Sequence, residues 1–392
     1  MKEKITIVCT AFPEINNPKV IFTFEMAKAL KDAGIDMEVV DLGALHIQSD
    51  IAENEYNGIK IYRFKRKARS AYFKSILKYR KELKRILKQR ESDAIVLSFL
   101  RWEYIFYFDL IRKNSKKIGW IVHGQDAMCL WENKFITTIK RRMLKRVDNV
   151  FPVSDYTKFL VETILPPKEY HKIVLNYNGV DKEKCNKALN LSKEAARAYL
   201  SLPEDIKIVL SVSELKKRKG IDEILRAEKI IKEKQIEFLH IIIGRGDERQ
   251  YLMKLAKDLG ISNSVKFIDF VESGEDLMKY FRAADVFALL SKTMYKPTAV
   301  EGFGIVYAEA GYMGLPVIAG KSGGVNSVVL DGYTGFIFDQ NESQLTLKIA
   351  DKLIQLYTNK DFYNFISINA HDFIETKFDW KLYGEKLIEN LI

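Results

Sequence analysis

Residues 206–227, IKIVLSVSELKKRKGIDEILRA, hold a short apolar run, a turn crowded with cations, a glycine and the start of an amphipathic helix. Ile206–Val212 is too short and too rich in Val, Ile and Leu for a helix, so it reads as a strand buried on both faces. After Gly220 the apolar residues Ile221, Ile224 and Leu225 recur at helical spacing. The same order returns in IIIGRGDER (241–249) and PVIAGKSGG (316–324), each an apolar run closed by glycine. Working outward, the pattern predicts further strands at Val265–Phe270, Val286–Leu290 and Gly335–Phe338. The first half repeats it at Ile5–Thr10, Met37–Leu42, Ile59–Phe64, Ala94–Phe99 and Ile118–His123, with a helix over Val20–Ala33. Such alternation implies parallel sheets with helices on both faces, hence an α/β protein. Two series in tandem give two Rossmann-like doubly wound domains, over 1–176 and 177–376. A final amphipathic helix, 377–392, is expected to pack back on the first. The turn-rich NYNGVD (176–181) marks the change-over. With no flexible linker there, a central cleft between the domains is the expected ligand site.

Composition narrows the class. With 47% hydrophobic residues and a net charge of +11 over 392 residues, the chain is globular and moderately basic. No run of about 18 uncharged apolar residues occurs, which excludes a transmembrane helix. Glu3 and Glu14 near the start disfavour a signal peptide. Cys9, Cys129 and Cys185 are scattered and odd in number, which fits a reducing, cytoplasmic compartment.

The chemistry gathers at expected strand ends. EGFGIVYAEA (301–310) places Glu301 and Glu309 around a glycine-rich helix start. Amides from Gly302 through Val306 can face an anion there, because a helix N-terminus offers free N–H groups and a positive dipole end. Glu309, further along that helix, can accept two hydrogen bonds from a diol such as ribose. Lys219 can set an ammonium on a diphosphate, whereas Lys216, Lys217 and Arg218 read as a solvated charge run. Gly244 and Gly246 form only a GxG, and Gly323–Gly324 repeats the device. All four glycine turns follow expected strands, where ligands bind in open α/β sheets. No DxD, HExxH or paired Cys/His set occurs, so no metal site is expected.

Taken in order, NGVD (178–181), KG (219–220), GRGDE (244–248), ADVFALLS (284–291), EGFGIVYAEA, PVIAGKSGG and DGYTGFIF (331–338) resemble the retaining glycosyltransferases of family 4, glycosyl transferases group 1, of GT-B fold. VHGQD (122–126) and FPVS (151–154) are similar to its less specific N-terminal motifs. The resemblance implies a hexosyltransferase that uses a UDP- or GDP-linked sugar without cofactor or metal. Lys219 would neutralise the leaving diphosphate and Glu301 would touch the transferred sugar. Gly302, Phe303, Gly304 and Ile305 would offer amides, Glu309 would hold the ribose, Gly244 would lie by the donor, and His123 would sit on the acceptor side. Three positions depart from the pattern. Glu214 stands where the family has an arginine, Val20 in INNPKV where a glycine is common, and Ser327 where an acid often follows the glycine pair. A nearby cation, Lys216 or Arg218, is one way to compensate for Glu214.

The excess charge is concentrated. Residues 59–91 carry fourteen Lys and Arg against Glu82 and Glu91, with Phe73, Ile76, Leu77, Leu83, Ile86 and Leu87 as an apolar stripe beside them. A basic amphipathic helix can lie on an anionic bilayer, so Lys78, Lys81, Lys84 and Arg85 are candidate membrane contacts on the inner face of the cell membrane. The alternative is a core-packed helix with a solvated basic face. No nucleic-acid module accompanies the run. The expected function is sugar transfer to a glycolipid or polysaccharide precursor. A nucleotide-sugar epimerase and a non-catalytic nucleotide-sugar-binding module are the alternatives.

Overall fold

The computed structural model describes residues 2–10, 12, 21–44, 49–65, 69–99, 101–128, 134–271, 274–295 and 298–392, without the side chains of 69–74 and 102. INNPKV (15–20) and Cys129 lie outside them. The chain divides into two units, Met1–Gly179 with Trp380–Ile392, and Val180–Asp379. The division falls inside NGVD, where 176/177 was expected.

The strands of the first unit are β1 (Lys4–Cys9), β2 (Asp36–Ala44), β3 (Ile51–Tyr56), β4 (Ile59–Lys65), β5 (Ser92–Ser98), β6 (Ser115–Val122) and β7 (Asn149–Pro152). They form one sheet in the order β3-β4-β2-β1-β5-β6-β7. Every neighbouring pair is parallel except β3 with β4. In the middle, Ile7 pairs with Val39 on one side and Val96 on the other. These side chains are sealed from water, as a sheet covered on both faces requires. The terminal helix Trp380–Leu391 buries Trp380, Tyr383, Leu387 and Leu391 in this unit. Its Gly384 lies close to the helix Ile21–Asp32, where an added Cβ would stand 3.2 Å from that of Ala29.

The second unit holds β8 (Lys207–Val212), β9 (Phe238–Ile243), β10 (Val265–Ile268), β11 (Val286–Leu289), β14 (Val317–Gly320) and β15 (Gly335–Phe338). These six strands form one sheet of parallel pairs, in the order β10-β9-β8-β11-β14-β15. An antiparallel ribbon of two two-residue strands, β12 (Met294–Tyr295) with β13 (Thr298–Ala299), follows β11. The helices Ile221–Glu233 and Leu345–Thr358 bury Ile224, Ile231, Ile349 and Leu353 against Val209, Val286 and Ile318. One polar chain crosses this core: Ser211 Oγ lies 2.8 Å from His240 Nε2, whose Nδ1 is 2.9 Å from Glu228. All three are sealed from solvent, so this serine–histidine–carboxylate chain ties a helix to two strands and has no access to substrate.

In the basic helix Arg69–Arg90 much of the apolar face follows the core-packed alternative. Tyr79, Leu83, Ile86 and Leu87 are buried, so this part of the apolar face meets the core, and Ile76 is half-buried. Leu77 is the exception, 79% exposed. Around it Lys78 pairs with Asp50 at 2.7 Å, Arg85 pairs with Glu82, and Lys81, Lys84 and Lys88 are exposed.

Candidate active site

Parallel strands bring their C-terminal ends to one edge, and in the second unit that edge carries the loops after Val212, Ile243, Leu289 and Gly320. The loop after β8 holds Glu214 exposed, paired with Lys216 at 3.1 Å. It then turns through Lys217–Lys219 into the helix Ile221–Glu233. Arg218 O accepts from Lys292 N at 2.7 Å, which fastens this loop to the end of β11. Gly244 lies against its other flank. A Cβ there would stand 1.8 Å from Ser213 O at a φ of +146°, so only glycine lets the loop ends after β8 and β9 come so close.

The result is a cluster of charges. The buried Lys219 Nζ donates to Glu301 Oε2 at 2.7 Å and lies 3.4 Å from Ser291 Oγ. Ser291 Oγ donates to the same carboxylate oxygen at 3.2 Å. Arg218, expected as a solvated residue, has Nη1 3.6 Å from Glu301 Oε2, and that nitrogen is buried without a hydrogen-bond acceptor among the described residues. Burial alone would raise the Glu301 carboxyl. Lys219 and then Arg218 more than offset this, and the group stands below its ordinary value. Two cations against one carboxylate leave one positive charge in excess, and an orphaned guanidinium nitrogen is costly unless an anion meets it.

Glu301 is held in turn. Its N–H donates to Ser322 Oγ at 3.3 Å, and its carbonyl accepts from Gly324 N at 2.7 Å. The Gly323–Gly324 turn thus rests on the loop Glu301–Gly304. Gly304, at φ +97°, opens the helix Ile305–Tyr312, whose geometry leaves the first amides, those of Ile305 and Val306, without an intrahelical acceptor. Tyr307 OH donates to Leu289 O at 2.8 Å and pins the helix start to the end of β11. Phe303 turns its ring inward against Phe378, 5.4 Å between centroids. Glu309 is half-buried on that helix, and its charge, after burial, helps push the Cys185 thiol up. Lys219, Glu301 and the loop to Gly304 therefore meet at one place, while Glu309 is placed by its influence on Cys185. Ser327 is buried. Sequence reasoning missed Ser291, Ser322 and Tyr307, and left Arg218 and Lys216 as equal candidates to compensate for Glu214; Ser291, a hydroxyl just past an apolar strand, was the visible signal.

In the first unit, His123 follows β6. Its backbone N–H donates to Asp126 Oδ1 at 2.9 Å, and its ring Nε2 lies 3.4 Å from Ser98 Oγ. The rings of Phe99 and Phe22 stand 4.0 Å and 4.3 Å from it. Burial between them pushes the imidazole down to about 3, so it is neutral near pH 7. Among the described residues, one group of side chains that could hold a metal, His371, Asp372 and Glu375, lies on the helix Lys360–Lys377 and includes none of the clustered charges above. No described helix is long and apolar enough to cross a membrane.

Residues 20–184 match the family described as Glycosyltransferase Family 4, and residues 192–373 match Glycosyl transferases group 1. A GDP-mannose-dependent monoacylated alpha-(1-6)-phosphatidylinositol monomannoside mannosyltransferase of Corynebacterium glutamicum is 30% identical over 54% of this chain and 53% of its own length. The chain thus spans about half the length of that relative. Among solved structures, sucrose-phosphate synthase from Thermosynechococcus elongatus superposes with a TM-score of 0.79 at 18% identity, covering 99% of this chain and 98% of that one. Anabaena HepE in complex with UDP gives 0.74 at 19% identity, over 100% and 99%. These likenesses carry the fold, which is GT-B.

Proposed function

The chain belongs to the GT-B glycosyltransferases of the family 4 type, and from that premise we propose that it moves a hexose from a nucleoside diphosphate sugar to a lipid-linked acceptor. The observation that carries this reading is the convergence of Lys219, Arg218 and Glu301 at strand ends beside the start of the helix Ile305–Tyr312.

As the glycosidic bond to phosphate breaks, negative charge grows on the departing diphosphate and positive charge on the sugar. Lys219 and Arg218 meet the first, with the amides of Gly302 to Ile305 behind them. Preorganised donors of this kind each lower the barrier by about 2.7–4 kcal/mol. Arg218 thereby takes the part that Glu214 vacates. Glu301, held ionised, accepts from sugar hydroxyls and shares Lys219 with the phosphate, and Glu309 accepts from the ribose. The positive charge that Lys219 and Arg218 hold in excess over Glu301 meets the diphosphate, so the reaction in this reading needs no metal, and the resemblance to family 4 implies that it retains the anomeric configuration. His123, neutral, stands on the acceptor side. The relative named for GDP-mannose and a phosphatidylinositol mannoside makes a GDP-sugar and an inositol lipid the first pair to try. The exposed Lys81, Lys84 and Lys88 beside Leu77 suit an anionic cytoplasmic membrane face where such an acceptor resides.

The test is nucleotide release from GDP-mannose and UDP-glucose, with and without phosphatidylinositol mannoside vesicles, in buffer containing EDTA. Acceptor-dependent release with an α-anomeric product by NMR supports the reading. No release from either donor overturns it, and activity abolished by EDTA overturns its metal independence.

A further inference from the structure

Phe99 ends β5 with a φ of +67°, a left-handed conformation that a bulky side chain seldom adopts. A chain that needed only the turn would carry glycine or asparagine there. The turn is nonetheless firmly made: Phe99 O accepts from Trp120 Nε1 at 2.8 Å and from Arg101 N at 3.1 Å. That conformation lays the phenyl ring on the imidazole of His123, with centroids 4.0 Å apart and planes at 26°. Phe22, from the helix Ile21–Asp32, meets the same imidazole edge-on at 4.3 Å and 86°. His123 is thus held in plane by one ring and along its edge by the other, with Ser98 Oγ at Nε2.

We infer that Phe99 is a positioning residue for sugar transfer: its ring is kept in a strained backbone conformation because it fixes the orientation of His123 toward the acceptor. This rests on the function proposed above. Backbone strain at a site of chemistry persists where the surroundings over-determine it, and Trp120 and Arg101 supply that here. The residue keeps part of its surface exposed, unlike Ile95 and Val96 before it, which are sealed in the core.

The experiment compares Phe99→Gly and Phe99→Tyr with the parent protein in melting temperature, GDP affinity, transfer kinetics and the NMR signals of the His123 ring. Glycine relieves the φ and removes the ring, so the variant is expected to melt no lower than the parent and to bind GDP equally. Its His123 ring protons should lose their ring-current shift, and kcat should fall about a hundredfold, the scale of a misplaced reacting group. Tyrosine should restore both. Parent-like kcat in Phe99→Gly, or unmoved His123 signals, overturns the inference, as does a large fall in melting temperature, which would assign the ring to packing. A parent protein that transfers no sugar overturns the functional reading, while the His123 signals still decide whether Phe99 orients the ring.

Discussion

At the scale of single residues the site is a balance of charge, and removing one member should show which charge serves which state. Lys219→Ala is expected to lower kcat/KM by about 100- to 1000-fold, the loss of one transition-state donor. It also strands Glu301, since breaking a buried pair by removing one partner costs about 3–5 kcal/mol. The pH dependence separates the two effects. In the parent, the Glu301 carboxyl is held below its ordinary value, so its stabilising contribution is present above the unfolded value and lost as pH falls through the folded one. In Lys219→Ala, burial is opposed only by Arg218 and the Ser291 hydroxyl, and the loss of stability in acid should shrink. Denaturant melts of both proteins at pH 7 and pH 4 read this directly; equal acid sensitivity would show that Glu301 does not depend on Lys219. His123 runs the same way in the first unit, its imidazole pushed down to about 3: stability is full above pH 6.5 and declines below it. Arg218→Ala tests the replacement of the missing arginine. Donor affinity and kcat should both fall, with melting temperature little changed, because Lys219 still pairs with Glu301 at 2.7 Å. Unchanged kinetics in that variant would return Arg218 to the solvated run expected of it.

Among the elements, the basic helix Arg69–Arg90 invites the clearest test. Each cation near an anionic surface is worth about 1 kcal/mol. Because Lys78 and Arg85 already pair with acids, Lys81, Lys84 and Lys88→Glu is the cleaner substitution. Binding to phosphatidylserine vesicles should fall by two orders of magnitude or more in co-sedimentation, while nucleotide binding is kept; unaltered co-sedimentation removes the membrane from the proposal. This helix also shows what sequence can convey. Its existence and its charge were legible, but the direction of its apolar stripe was not, because Leu83, Ile86 and Leu87 look alike whether they meet a lipid or a sheet. The parallel strands were legible because both their faces are buried, leaving runs such as KITIVC and FLHIII with almost no polar interruption. β3 escaped because IAENEY is an edge strand with solvated acids, although the Asn57–Gly58 turn behind it, with φ of +50° and +68°, is a recognised hairpin signal. In the site, Lys219 and Glu301 could be named from their motifs. Their 2.7 Å contact joins residues far apart in sequence, and Arg218 could not be separated from Lys216 and Lys217, since only the fold turns one of three adjacent cations inward.

For the whole molecule, the path of the chain sets a dependence that no single element shows. The polypeptide leaves the first unit after Gly179, builds Val180–Asp379, and returns with Trp380–Ile392. Departure and return are stitched within the second unit, where Val180 N donates to Phe378 O at 3.2 Å and Lys182 pairs with Asp379 at 2.7 Å. The first unit therefore relies on the last residues of the sequence for part of its core. Burying Trp380, Tyr383, Leu387 and Leu391 contributes about 6–12 kcal/mol at the usual value per large side chain, which is comparable with the whole stability of a typical domain. Lys219, Arg218, Glu301 and Glu309 all lie in Val180–Asp379, whose core is its own. A chain ending at Asp379 is accordingly expected to lose hydrogen-exchange protection across β1, β2 and β5 yet keep it across β8, β9 and β11. It should bind GDP by calorimetry with near-parent affinity and transfer no sugar. Since nucleotide binding then stabilises only a unit that is still folded, GDP should raise the melting temperature of the shortened chain as it does that of the parent. Protection retained in β1 and β5 would show that the terminal helix is dispensable to the first core, and loss of GDP binding would show that the donor site draws on residues outside the second unit.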